Sequence, residues 1–327
     1  MTRRKEIRKS FLALAFAEAE RMKAAGRLSL AGNYRCAANR LQVFLRQQGL
    51  ESLPYDRLKP TTIRQFEGWL HLQGISKNTS SAYLRSLHAI YVRMAGNAAT
   101  KEEPFAGTYR GVAKTRKRAL MEEDMRQIAA FDIAQALQQQ YLKAGRKTDG
   151  KRFRQKLQKL TFARDMFIFS FCARGMTYVD MAYLRKSDVS LGFISYRRRK
   201  TGQSLLVKIE PDMQRIMARY PSATTYQFPI LHACTDVHRR HTSYLSAISY
   251  YNKALAELGE LLGLKLTSYV GRHSWATIAN ERVPTELVSQ SLGHDSIRTT
   301  EIYLRSLSNT RIDKANHALL QQVFHPV

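Results

Sequence analysis

Acidic residues are scarce in this chain. It has 26 Asp and Glu against 53 Lys and Arg over 327 residues, a formal net charge of +27. A balance so basic repels itself unless a polyanion neutralises it. That points first to nucleic acid and second to an anionic membrane surface, and it says nothing of the fold. Cysteine is scarcer still. Cys36, Cys172 and Cys234 are odd in number, far apart and without metal-ligand spacing, so they read as buried or free thiols in a reducing cytosol rather than as a disulfide framework. Long apolar runs are missing: none approaches the ~20 residues of a membrane span. The short run at 11–17 follows basic residues as a signal peptide would, but Glu18, Ala19, Glu20 and Arg21 continue it as an amphipathic helix. There is no visible internal repeat or low-complexity tract. A cytoplasmic protein without a membrane partner is expected.

What is present is a hydrophobic content of 44%, normal for a globular chain, at a length that suits two domains of roughly 100–200 residues. The front reads as helices. Tyr34, Ala37, Ala38, Leu41, Phe44 and Leu45 fall at helical spacing. Pro60 stops what precedes it, Thr62 with Gln65 resembles a capping box, and Thr79 is placed to cap a helix through Met94. Pro104, Gly107 and Gly111 then punctuate a linker ending in Lys114, Arg116, Lys117 and Arg118, which read as a strap tracking phosphates. The second part is mainly helical, with a basic stretch from Lys151 to Lys159 before a buried helix at 166–172, and another helix at 244–262. Its exception is 193–209, where two β-rich runs flank Thr201-Gly202 and place Lys200 at the turn of a hairpin.

Four patches of this second part carry chemistry. They are FCARGMTYVDMAYLRKSDV (171–189), YRRRKTGQSLLVKI (196–209), LTSYVGRHSWATIAN (266–280) and VPTELVSQSLGHDSIRTTEIYL (283–304). In the last, Pro284 suits the first turn of a helix and Gly293 its C-terminal cap, and His294 follows directly at the corner. Tyr303 lies nine residues after His294. One tyrosine among 16 means little alone; its weight comes from the corner before it and the arginine patches upstream.

Taken in order, these patches resemble the catalytic domain of tyrosine recombinases, the phage integrase family, over about 118–307, with weaker similarity over the helical front. The resemblance implies a mainly α (α+β) architecture: a lead helix at 1–28, an all-helical SAM-like core-DNA-binding domain at 29–103, a basic linker at 104–118, a mainly helical catalytic domain with a small β-hairpin at 119–308, and a tail helix at 309–327. It implies Tyr303 as the nucleophile, Lys200 as the general acid for the leaving 5′-oxygen, Arg272 as a phosphate-binding arginine, and His294 as a hydrogen-bond donor to the same phosphate. Two positions depart from the family pattern. Thr177 stands where the family has its first arginine, so Arg174 is expected to fill that role, with Arg164 as a second candidate. Tyr269 stands where a histidine is usual, and a phenol there positions rather than transfers protons near neutral pH. Arg197, Arg198 and Arg199 are expected to hold backbone phosphate.

The activity implied is site-specific recombination through a 3′-phosphotyrosine and a Holliday junction, without ATP, metal or other cofactor. The partners implied are double-stranded DNA, three further copies of the chain on paired sites, and accessory DNA-bending proteins. When free the chain is expected to be monomeric or weakly associated. The short front leaves little room before Ser29 for an arm-site-binding domain, so inversion is favoured over integration or excision. The competing readings are a binding-only protein of the same fold and a type IB-like topoisomerase. Target sequence, cleavage spacing, and whether the tail docks in cis or in trans are not legible here.

Overall fold

The computed structural model describes residues 10–54, 58–95, 103–113 and 119–293. Lys114, Arg116, Lys117, Arg118, His294, Tyr303 and the tail at 309–327 lie outside the described residues. The chain divides into two units, Met1–Thr115 and Arg116–Val327.

The first unit is built from α1 (Phe11–Ala24), α2 (Leu28–Gln47), α3 (Pro60–Leu72) and α4 (Lys77–Ala95). The residues spaced for one face of α2, from Tyr34 to Leu45, are all buried, as a 3.6-residue period requires. Rings from α2 and α3 form the centre, with Phe44 and Phe66 centroids 5.5 Å apart. The lead helix α1 buries seven residues into this same core, including Phe11 and Ala15 at 0% exposure. One of the seven is Glu18, whose carboxylate accepts from Arg21 on its own helix (2.7 Å) and Arg93 on α4 (2.6 Å).

Both helix starts differ from the sequence expectation. Helix α3 begins at Pro60 itself, whose fixed φ and missing N–H suit the first helical position, so Thr62 lies inside the first turn. Helix α4 begins at Lys77, and Ser76 rather than Thr79 caps it: the Thr79 amide donates to Ser76 Oγ at 3.4 Å.

The first half of the segment read as a linker is folded onto this unit. Phe105 is fully buried in the core. The Tyr109 amide donates to Glu67 Oε1 (3.0 Å), and Asn78 exchanges two hydrogen bonds with the Ala113 backbone (2.9 and 2.7 Å).

The second unit is organised on one long helix. Its elements are α5 (Glu122–Ala130), α6 (Ile133–Lys143), α7 (Lys151–Cys172), α8 (Tyr178–Tyr183), strands β1 (Val189–Ser190), β2 (Phe193–Arg197) and β3 (Ser204–Lys208), then α9 (Pro211–Arg219), α10 (Val237–Leu262), α11 (Val270–Asn280) and α12 (Thr285–Ser291). Helix α7 buries Phe153, Leu160, Met166, Phe167 and Phe169, and α5, α6 and α8 to α11 all pack on it. Part of its basic face is matched: Lys156 and Lys159 pair with Glu257 of α10.

The strands form one antiparallel sheet in the order β1-β2-β3, with Ile194 opposite Val207 and Arg197 opposite Ser204. Burial alternates along β2, so Ile194 and Tyr196 face inward. The loop is closed by the Arg198 amide donating to the Gln203 carbonyl at 2.8 Å, which leaves Lys200 in the turn. Among the described residues no helix is long and apolar enough to cross a membrane.

Candidate active site

Helix α7 ends in a tight turn. Ser170 Oγ donates to the Met176 carbonyl (2.7 Å), the Gly175 amide donates back to Ser170 O (2.8 Å), and Arg174 and Gly175 both adopt left-handed backbone, φ 55° and 74°. Gly175 is required there twice over. Besides its φ, a Cβ at this position would lie 2.9 Å from Arg272 Cγ and 3.1 Å from Arg272 Cα. The turn therefore sits directly against the backbone of the residue expected to grip phosphate.

Arg272, near the start of α11, is 1% exposed. Its Nη1 donates to the Gly175 carbonyl at 2.8 Å and its Nη2 to the Leu292 carbonyl at 2.5 Å. A guanidinium has five N–H donors in a fixed fork, so these two bonds hold it in one orientation. One side chain thus ties together three segments far apart in sequence: the turn after α7, the start of α11 and the corner after α12. Gly271 brings the start of α11 close to α7, where its Cβ would lie 3.4 Å from the Phe167 carbonyl. Tyr269, at the N-terminal end of α11, is 38% exposed, with its ring 5.6 Å from that of His273.

The corner after α12 is held from the hairpin side as well. Gly293 has φ 62°, and a Cβ on it would lie 3.2 Å from each of Arg198 Cδ, Gln203 Oε1 and Leu205 Cδ1. Its carbonyl accepts from Arg198 Nη1 at 2.6 Å. Residue 294 follows directly. The structure therefore brings Arg272 and the Lys200 hairpin to the same corner.

The three hairpin arginines do not share one surface. Arg197 and Arg199 are exposed; Arg197 Nε donates to the Gly202 carbonyl, and the Arg199 guanidinium lies 3.7 Å over the Tyr183 ring. Arg198 is 3% exposed and turned inward, not on the exposed surface with Arg197 and Arg199 where it was expected to hold backbone phosphate. The inward phase of Ile194 and Tyr196 extends to it, a signal present in the sequence but outweighed there by its charge. Lys200 is exposed in the turn.

At the family's arginine position, Thr177 is buried and its Oγ1 donates to Asp180 Oδ2 at 2.6 Å. Asp180 Oδ1 accepts the Arg199 amide at 2.9 Å. This buried carboxylate, which sequence reading missed, fixes α8 to the hairpin turn one residue before Lys200. Arg174 is half-buried and makes no hydrogen bond or ion pair among the described residues. Arg164 is engaged elsewhere: its Nε donates to Asp165 Oδ1 and its Nη1 to the Phe131 carbonyl, both at 3.1 Å. Asp165 is buried and also accepts from Arg219 and Tyr220. The Tyr196 phenol, in the middle of the assembly, is pushed well up by burial; Asp180 pushes it the same way, and Arg272 and Arg198 oppose them. Among the described residues no cluster of His, Cys, Asp or Glu is arranged to hold a metal ion.

Comparison with known proteins follows the same division of the chain. Residues 159–310 match the model of the phage integrase family, and residues 10–111 match the phage integrase SAM-like domain. Tyrosine recombinase XerA of Pyrococcus furiosus is 28% identical over 134 residues, 40% of this chain and 46% of the relative, so the match spans about half the length of that curated protein. A lambda integrase dimer bound to a COC′ core site superposes with a TM-score of 0.61 at 14% identity, over 91% of this chain and 78% of that one. The Tn1549 transposon integrase with transposon right end DNA gives 0.59 at 14% identity, over 96% and 99%. A lambda integrase tetramer bound to a Holliday junction gives 0.60 at 14% identity, over 93% and 80%. At such identities the likeness is one of fold.

Proposed function

The chain belongs to the phage integrase family of tyrosine recombinases, and on that premise we propose that it is a site-specific DNA recombinase with Tyr303 as its nucleophile. The observation that carries this reading is the convergence on Arg272. A buried guanidinium holds the turn after α7 and the corner that leads to His294, and the hairpin bearing Lys200 is bonded to that same corner.

In the proposed reaction Arg272 binds non-bridging oxygens of the scissile phosphate and stabilises the charge that grows on them in the transition state. His294 donates a hydrogen bond to the same group, and Tyr269 positions it. Tyr303 attacks in line to form a 3′-phosphotyrosine, while Lys200 protonates the departing 5′-oxygen, which leaves poorly as an alkoxide. The ester conserves the bond energy, so a 5′-hydroxyl from another strand reverses the step without ATP. Two such exchanges pass through a Holliday junction.

The exposed Arg197 and Arg199, with the basic stretch Lys114, Arg116, Lys117 and Arg118, hold flanking phosphates of double-stranded DNA. A fold shared with proteins solved as dimers and tetramers on DNA supports four protomers on two paired sites, with accessory bending proteins setting direction. Inversion between inverted repeats is the proposed outcome, and a requirement for distant arm sites in a purified reaction would refute it.

The test is to incubate the protein with DNA from around its own gene in EDTA and denature in SDS. A protein-linked band that vanishes in Tyr303→Phe is expected. Binding without an adduct on a pre-nicked substrate would identify a binding-only protein, and relaxation of arbitrary plasmid by the monomer a topoisomerase.

A further inference from the structure

The reaction needs a second guanidinium at the phosphate, and Thr177 leaves the family's place for it empty. We propose that Arg198, from the hairpin, supplies it. This inference rests on the recombinase reading and names a residue that reading leaves unassigned.

Arg198 is 3% exposed, yet no carboxylate among the described residues lies within ion-pair distance of it. Its Nη1 donates to the Gly293 carbonyl, but its Nε is buried without a hydrogen-bond partner, and the neighbouring Gln203 Oε1 is buried and unpartnered as well. A buried cation without an anion is strongly unfavourable, far more so than one carbonyl contact offsets. Asp180, whose charge reaches the buried Tyr196 phenol as that of Arg198 does, has one carboxylate oxygen taken by Thr177 and the other by the Arg199 amide. Arg198 is therefore a guanidinium prepared for an anion that the described residues do not provide.

Its placement gives the anion's position. Arg272 is anchored to the carbonyl of Leu292 and Arg198 to the carbonyl of Gly293. Two guanidinium groups fixed on consecutive carbonyls, beside the residue that precedes His294, form a pair able to share one phosphate between their forks. The alternatives are placed less well. Arg164 is committed to Asp165 and Phe131. Arg174 is held at the turn by its left-handed backbone, and no side-chain hydrogen bond or ion pair among the described residues fixes its head. Asp180 completes the arrangement: with Thr177 it holds the turn next to Arg198, doing with a carboxylate and a hydroxyl what positions the hairpin for its own arginine.

The test compares Arg198→Ala, Arg198→Lys and Arg174→Ala with wild type on a pre-nicked duplex carrying the mapped scissile phosphate. A second duplex carries a methylphosphonate there, which removes the charge the arginine would stabilise. On ordinary phosphate Arg198→Ala is expected to form adduct about 100-fold more slowly than wild type. On methylphosphonate that gap is expected to shrink at least about tenfold, a response that a purely structural role would not give. Arg198→Lys, which keeps the charge but loses the fork, tests the same point if the alanine variant unfolds, and its loss is expected to shrink likewise. Wild-type rates in both Arg198 variants, losses equal on the two substrates, or a larger methylphosphonate-sensitive loss in Arg174→Ala would each overturn the assignment. Absence of any adduct in wild type would instead overturn the recombinase reading.

Discussion

Gly175 concentrates the demands of the site in one residue. Its φ of 74° and the 2.9 Å approach of Arg272 Cγ leave no room for a side chain, and the next neighbour is the Arg272 backbone, which cannot swing aside. Gly175→Ala is therefore expected to lower stability by about 1–3 kcal/mol, measured by urea denaturation, and to reduce adduct formation further than the unfolded fraction explains. Full activity in a folded Gly175→Ala protein would show that the Gly175–Arg272 contact does not position the guanidinium. Legibility at this scale was uneven. Lys200 at a hairpin turn and Gly293 at a helix end were readable from local pattern, because turn chemistry is local. The inward face of Arg198 continues the alternation of the strand that ends one residue before it, but an arginine in a basic tetrad argues for the surface until its neighbours are seen. The bond from Thr177 to Asp180 was not readable, since a helix-start hydroxyl has several possible acceptors and only packing chooses among them.

Helix α1 shows how an element acquires its place from a distant partner. By its pattern it is an amphipathic lead helix; in the structure it is core, and Glu18 is buried with it because Arg93, 75 residues later, meets its carboxylate. The hydrogen bond from Arg21 comes first among the causes that hold the Glu18 carboxyl below its ordinary value, against the opposing effect of burial. A folded-state pKa that is depressed means stability present above the unfolded value of 4.5 and lost as pH falls through the lower folded one. Glu18→Gln is thus expected to cost about 1–3 kcal/mol near pH 7, since hydrogen bonds to a charged group are weakened and both arginines are partly solvated. The difference from wild type should narrow below pH 4.5 in thermal melts of the full chain. A gap that stays constant down to pH 3 would mean the carboxylate charge is not what matters. The same reliance on context explains the shifted starts of α3 and α4. Ser76 and Thr79 both carry a capping hydroxyl, and propensity alone does not rank them.

For the whole molecule, the helical class with one small sheet was legible because helical and strand periods differ and the patches are ordered. The site was legible only as that order. Arg272 and Gly175 are 97 residues apart and Arg198 and Gly293 are 95, and no local pattern announces either meeting. Charge was informative in a different way: +27 pointed to a polyanion, nucleic acid first and an anionic membrane surface second, without locating a single contact. In the proposed reaction these distant segments serve one tyrosine, Tyr303, beyond the corner at Gly293. Protease digestion of the covalent DNA–protein adduct, followed by mass spectrometry of the DNA-linked peptide, tests it most directly. One peptide is expected, with a nucleotide phosphate on Tyr303. Attachment at any other residue, or an adduct that persists in Tyr303→Phe, would contradict it.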